Sequence, residues 1–404
     1  MKKNTIICIG IALILIGISV SYYAMHNKKK TTDHPTFTEK DSFSIKLLKE
    51  TNIDNKKNYL ISPYSIEIAL KMVESGANGN TYDEIHKVIG DRTINYLENE
   101  DIKIANALFI KEKYKQYIKK DFSNNLVNNY SSEILYDKFD TPKVINDWVN
   151  EKTNKMIPKL LNRMNSDFVL GLANALAIDV KWQNEFEATD TYKEEFKNNK
   201  KTTEVDMMHN TYKTEDYKYF KTDNAQGIIL PYVEKDGIQL EFVGILPNID
   251  LYNYINKFDE TELYYINNNI TKANDDLWIK LSLPKFEYDY NLENFKEVLY
   301  NLGIKEAFND EAADFTKMMT KEDMLKSGVI NLYVGEAVHK TKIELSETGT
   351  KAAAVTYFGM FKESAMPIEE EPKIIEIKFD KPFMYMIREK NTNEVLFIGT
   401  VYEP

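Results

Sequence analysis

The side chains able to do chemistry are few and stand far apart. The chain has five histidines (His26, His34, His86, His209 and His339) and a single cysteine, Cys8. No two histidines form an HExxH pair and no Cys/His cluster has zinc spacing, so neither a structural metal nor a metal-activated water is expected. No GxSxG elbow, phosphate-cradling glycine loop or GxGxxG fingerprint occurs, and no cofactor is expected. Ser62 precedes Pro63 at a helix start and reads as an N-cap. His339-Lys340 lies in a strand-like run and reads as structural. The carboxylates Glu194-Glu195 and Glu369-Glu370-Glu371 read as solvated. An active site needs convergent nucleophile, base and stabilising groups, and these residues offer no such set. A catalyst is not expected.

The most unusual stretch is ETGTKAAAVTYFGMFKESAMP, Glu347 to Pro367. From Ala352 to Phe361 it carries no charge, and its first half is small. An exposed loop is seldom so apolar, and a buried strand does not end in Lys362-Glu363-Ser364. Strand residues alternate faces. One parity holds Thr350, Ala352, Ala354, Thr356, Phe358 and Met360, with no charge. The one hinge charge, Lys351, falls on the other parity. No proline interrupts the run before Pro367, so each residue has a ladder donor. Gly349 supplies backbone freedom at the base. The segment is therefore written for two places, a loop and a strand.

The elements around it mix strands and helices without regular βαβ repetition, which points to an α+β fold with large sheets. In ISPYSIEIALKMVESGANGNTYDEI, Ile66, Ala69, Leu70 and Val73 have helical spacing after the Ser62 cap. Thr81 and Glu84 read as a capping box for the next helix. In GLANALAIDVKW, Leu172, Leu176, Ile178, Val180 and Trp182 share one parity and Ala173, Ala175 and Ala177 the other, so both faces of this strand are expected to be covered. LWIKLSLPKF reads as a strand. NLENFKEVLYNLGIKEAF reads as a helix stopped at Gly303. The C-terminal stretch reads as a hairpin turning at Asn391-Thr392-Asn393.

A net charge of -11 argues against nucleic acid as the main partner. The first residues, MKKNTIICIGIALILIGISVSYYAMHNKKK, place Lys2-Lys3 before an apolar run from about Ile6 to Ala24. That is the build of an export leader, near the lower length limit for a membrane span. Cleavage after Ser21 and retention as a signal anchor both fit. Residues 1–37 are read as signal peptide or anchor plus polar tether, and 38–404 as one domain. The protein is expected to be extracellular or cell-surface, touching a membrane only through an uncleaved leader.

At NYLISPYSIEIALKMVESGANGNTYDEI the chain resembles the serpin family, the serine protease inhibitors. The likeness continues through INDWVNEKTNKMIPKLL, LANALAIDVKWQNEF, LPKFEYDYNLENFKEVLYNLGIKEAFNDEAADFTKM, VHKTKIELSETGTKAAAVT and FDKPFMYMIREKNTNEVLFIGTVYEP. It covers about Asp41 to Pro404. The Lys/Asn/Ile-rich style with a leader suggests a bacterial-type, exported member.

The resemblance implies a large central β-sheet with further sheets, about eight or nine helices and an exposed reactive-centre loop. It implies a monomer acting as a suicide substrate. A serine, or cysteine, endopeptidase cuts the loop and becomes acylated. The loop then inserts as a new strand, carrying the protease with it in a covalent complex. Glu347, Gly349, Thr350, Ala352, Ala354, Thr356, Phe358 and Met360 would form the hinge and inserting face, and Trp182 and His339 the breach where the loop enters. Family spacing, sixteen residues after Glu347, gives Glu363–Ser364 as the reactive bond, with Lys362–Glu363 as the alternative. The loop up to Phe379 is several residues longer than the common form, which leaves Ala365 or Met366 open as well. Relatives that do not inhibit usually carry charge or proline at the inward hinge positions, and this chain carries neither. Lys351 departs from the family's usual acidic residue but points outward. The competing reading is a non-inhibitory serpin acting as a binding or chaperone-like protein. A dozen new ladder bonds at ~1 kcal/mol each give an insertion energy on the order of 10 kcal/mol, comparable to a whole domain's stability.

Overall fold

The computed structural model describes residues 6–17, 41–52, 56–198, 201–347 and 372–404. Its strands fall into three sheets. The central sheet has six strands in the order β13 (Phe286–Asn291), β14 (Tyr333–Leu345), β1 (Ile6–Gly17), β5 (Phe168–Val180), β3 (Ile102–Lys111) and β4 (Glu133–Asp137). A seven-stranded sheet runs β11 (Ile270–Lys272), β8 (Lys218–Lys221), β9 (Ala225–Pro231), β10 (Leu240–Pro247), β16 (Phe383–Glu389), β17 (Val395–Val401) and β2 (Tyr59–Ile61). A four-stranded sheet runs β15 (Lys373–Lys378), β12 (Leu277–Pro284), β7 (Thr202–Tyr212) and β6 (Thr191–Lys197). Nine α-helices lie among the described residues: α1 (Phe43–Thr51), α2 (Pro63–Gly76), α3 (Gly79–Ile89), α4 (Lys120–Tyr130), α5 (Lys143–Lys152), α6 (Leu251–Lys257), α7 (Glu260–Asn268), α8 (Phe295–Leu302) and α9 (Lys321–Ser327). The expected α+β architecture, one large sheet with further sheets, is what is found.

The two parities of β5 explain the layering. Its bulky set, Leu172, Leu176, Ile178 and Val180, enters the main core with α2 residues such as Ile66, Ala69 and Val73. Its small set, Ala173, Ala175 and Ala177, faces a second cluster with Ala107 and Phe109 of β3 and Ile145, Trp148 and Val149 of α5. Small side chains let the helix lie close over the sheet, and Phe109 meets the Trp148 ring edge-on at 5.6 Å. The strand is buried on both faces, as its composition demands.

The apolar run read as an export leader takes an unexpected position. Ile6–Gly17 is the third strand of the central sheet, antiparallel to β14 on one side and to β5 on the other. Ile7 stands opposite Glu344 and Asp179, and Ala12 opposite His339 and Asn174. Ala12, Ile14 and Ile16 join the main core, while Ile11 and Leu15 join the cluster under α5. A strand enclosed on both faces needs a continuous apolar sequence, and that is also what a leader needs. No helix of the described residues is long and apolar enough to cross a membrane.

Local signals held where the partners are local. The Ser62 hydroxyl accepts from the Ser65 N–H at 3.2 Å and caps α2. α8 ends at Gly303, whose φ of 118° no other residue adopts easily. The β16–β17 hairpin turns at Asn391–Asn393, where the Glu389 carboxylate accepts from the Thr392 N–H and hydroxyl. The Thr81–Glu84 capping box does not form. Helix α3 starts three residues earlier, with Asn78 rather than Thr81 as N-cap. Thr81 donates instead to Glu306 at 2.8 Å, and Glu84 accepts from the Lys305 and Glu306 backbone N–H groups. Glu84 thus caps a turn more than two hundred residues away, and Thr81 holds the Glu306 side chain beside it.

Candidate functional site: the central slot and its rim

The site is the gap between β14 and β5 together with the point where β14 ends. The reactive bond residues Lys362, Glu363 and Ser364, and the hinge residues Gly349, Thr350, Ala352, Ala354, Thr356, Phe358 and Met360, lie outside the described residues, as does the run Glu369–Glu371. Glu347, the base of the hinge, is described and is 8 % exposed.

At the rim, backbone and side chains pin the end of β14. The Trp182 indole N–H donates to the Ser346 carbonyl at 3.1 Å. The Phe186 N–H donates to the Glu347 carbonyl at 3.0 Å. The Trp182 ring stacks on Tyr232 at 4.6 Å and meets Phe186 and Phe242 edge-on. The Glu347 carboxylate receives Lys285 Nζ at 2.8 Å. Burial pushes the Glu347 carboxyl up, but the hydrogen bonds and charge of Lys285 and the Thr191 hydroxyl outweigh it, so its pKa lies below the usual carboxylate range. Trp182 thus lies against the end of β14. Tyr232 and Phe186, which pack on Trp182, and Lys285, which pairs with Glu347, gave no local signal in the sequence.

His339 is elsewhere. It sits in mid-strand, seven residues before Ser346, which is about 23 Å of extended chain. The structure does not bring His339 and Trp182 together. Instead His339 Nδ1 lies 2.7 Å from the Ile11 carbonyl of β1, and its Nε2 lies 3.1 Å from the Ser62 backbone nitrogen. Only the tautomer with the proton on Nδ1 satisfies both, since a carbonyl must receive and a backbone N–H must donate. Burial holds the imidazole far below its ordinary value of 6.5, to about 3, although the Ile11 carbonyl works the other way. Protonating Nε2 would also set two N–H groups face to face.

A buried polar relay continues from this point. Ser65 donates to Asn174 Oδ1 on β5, Asn174 Nδ2 to Asn106 Oδ1 on β3 at 2.9 Å, and Asn106 Nδ2 to the Tyr130 carbonyl at 2.7 Å. Ser65 also reaches the Gly10 carbonyl of β1 at 3.4 Å. The relay ties α2, β1, β5, β3 and α4 into one seam. Buried polar groups of this kind are costly unless paired, so they fix how the strands meet.

Ser62 and His339 are neighbours, yet they are not a nucleophile and its base. The Ser62 hydroxyl donates to the Leu396 carbonyl at 2.8 Å, and His339 faces the Ser62 backbone rather than its oxygen. Both residues are fully buried. Glu194 is less solvated than its sequence context implied. It accepts from Lys378 at 2.7 Å and lies 3.3 Å from His209 Nε2, linking β6, β7 and β15. Among the described residues no group of three His, Cys, Asp or Glu side chains could hold a metal ion.

Comparison with known proteins agrees with this architecture. A family described as Serpin (serine protease inhibitor) matches residues 38–404. The leukocyte elastase inhibitor of Bos taurus is 31% identical, over 86% of this chain and 93% of its own length. An uncharacterized serpin-like protein of Thermococcus kodakarensis is 29% identical over 93% of this chain and 87% of its own. Among solved structures, the thermophilic serpin tengpin in its native state superposes with a TM-score of 0.73 at 29% identity, covering 95% of this chain and 96% of that one. Tengpin in its latent state gives a TM-score of 0.68 at 28% identity, covering 94% and 100%. From residue 38 to its C-terminus this chain belongs to the serpin family, which makes it a protease inhibitor by descent and not a catalyst.

Proposed function

We propose that the protein is an exported suicide-substrate inhibitor of a serine endopeptidase, or by the same acyl chemistry a cysteine endopeptidase. The protease nucleophile adds to the Glu363 carbonyl. The Glu363–Ser364 bond then breaks, the Ser364 amine leaves with the nucleophile's proton, and the loop stays esterified to the protease. Inserting Thr350 to Met360 as a strand carries the acyl-enzyme away before water can release it. One observation supports this above the others. The space between β14 and β5 accepts a full additional strand, paired along both edges and packed on both faces. An inserted loop must leave the end of β14 and run back antiparallel to it, which is the direction that β1 takes. The Lys2-Lys3 start and apolar run support export.

The reading is tested by incubating the chain freed of residues 1–37, whose central slot is open, with a panel of serine and cysteine proteases, followed by denaturing electrophoresis and mass spectrometry of any covalent complex. A complex whose acyl residue is Glu363 is expected. Lys362→Ala should then leave trapping unchanged. If Lys362→Ala abolishes trapping, the reactive bond is Lys362–Glu363. Turnover of every protease without a complex would exclude the inhibitory reading.

A further inference from the structure

We propose that the N-terminal strand is a built-in plug: while β1 occupies the central sheet, the protein is a protease substrate, and it becomes an inhibitor only when β1 leaves. This rests on the inhibitory reading above, because the plug occupies the place that reading assigns to the cut loop. One sheet position cannot hold both strands.

The fit of β1 is specific in its residues. The His339 imidazole donates to the Ile11 carbonyl at 2.7 Å, and the Ser65 hydroxyl reaches the neighbouring Gly10 carbonyl at 3.4 Å. The polar seam at mid-sheet thus has partners on this strand. At Gly10 a Cβ would lie 2.5 Å from Ser62 Cβ, so the strand passes close against the start of α2 at a residue without a side chain. Ile14 and Ile16 fill the main core, and Ile11 and Leu15 fill the space under α5. On the far side, Leu15 lies so close to Gly171 of β5 that a Cβ there would meet it at 2.9 Å. Pairing runs from Ile7 opposite Glu344 to Gly17 opposite Tyr333, with one irregularity between Leu15 and Ile16. That span is nearly the whole of β14.

The segment comes from outside the part of the chain that matches the family, residues 38–404. The plug is therefore an addition to the serpin body. Its apolar sequence also gives it somewhere to go, since the composition that suits the slot suits a lipid bilayer. Withdrawal into a membrane, or loss of the leader, would open the sheet.

The test uses the full-length chain. Cys8, the sole cysteine, is the Cα partner of Ile343. Ile343→Cys therefore offers a cross-strand disulfide, which partners at sheet spacing can form. Oxidation with diamide should join the two cysteines, read as a mass loss of two hydrogens that disappears with Cys8→Ser. The locked protein, given a protease that cuts the loop, should yield nicked product, no covalent complex and an unchanged melting temperature. Two independent variants loosen the plug. Ile11→Pro with Ile14→Pro removes a ladder donor on each side, and Gly10→Val collides with Ser62. Either one, if folded by circular dichroism, should trap at least about tenfold more protease per molecule cut, because trapping scales with the fraction of molecules whose slot is free. Failure of the disulfide to form overturns the proposal. So does a locked protein that traps as well as the loosened ones. If the disulfide forms but neither loosened variant traps any protease, the strand's position stands, while control of inhibition and the inhibitory reading itself are overturned together.

Discussion

Replacing His339 with glutamine should flatten the acid side of the stability profile. The imidazole is fully buried, with its pKa displaced from 6.5 to about 3. Because the folded value is depressed, the unfolded chain binds the proton more readily. The stabilisation is complete above pH 6.5 and is lost as the pH falls toward 3. Over that whole window the loss is about 5 kcal/mol, and between pH 7 and pH 5 it is about 2 kcal/mol. For about 370 residues the unfolding entropy is about 0.8 kcal/mol/K, so the second figure corresponds to about 2–3 °C in melting temperature. A glutamine amide can donate to the Ile11 carbonyl and accept from the Ser62 N–H without ever gaining charge. The assay is urea unfolding of both proteins at pH 7 and pH 5. Every other titrating group is common to the two, so their difference in slope reports position 339. The wild type should lose about 2 kcal/mol more than His339→Gln over this interval. Equal losses in the two proteins, or an imidazole NMR signal titrating near 6.5, would refute the account of a neutral histidine clamped between Ile11 and Ser62.

The rim gives two further expectations. Trp182→Phe keeps an aromatic ring on Tyr232 but deletes the donor to the Ser346 carbonyl, and should cost about 1 kcal/mol in urea unfolding. Lys285→Met removes the cation from the Glu347 carboxylate, which is largely buried. Glu347 has a depressed folded pKa, so the pair contributes above the unfolded carboxylate value and fades as the pH falls through the folded one. A loss of about 1 kcal/mol at pH 7 that shrinks as the pH falls below the ordinary carboxylate range is expected from paired melts; a loss independent of pH would show that the ion pair is not its source.

What the sequence revealed depended on how far each residue's partner lies along the chain. The Ser62 cap, the Gly303 stop and the turn at Asn391–Asn393 were legible because donor and acceptor sit within a few residues. The two faces of β5 were legible because alternation records burial directly. The misreading of Thr81 and Glu84 has the opposite cause. Their spacing fits a cap, but stronger partners arrive from residues 305–306. The roles of Lys285 and Tyr232 at the rim were invisible for the same reason. The strand pairing of residues 6–17 was not legible for a different one: an apolar run flanked by lysines satisfies the requirements of a membrane and of a doubly covered strand equally, and the place between β14 and β5 exists only once the sheet is assembled. His339 was visible as a strand residue, but its contacts with Ile11 and Ser62 span 328 and 277 positions.

The arrangement of the C-terminal strands decides what a nicked molecule becomes. β16 is hydrogen-bonded between β10 and β17, β17 between β16 and β2, and every residue of both is buried. A break anywhere in residues 348–371 therefore severs the covalent chain without releasing either piece. The tail remains woven through the middle of a sheet whose other members belong to the larger fragment. Size under native conditions does not distinguish a nicked molecule that carries no protease from an intact one, and the nicked molecule persists as one particle made of two polypeptides.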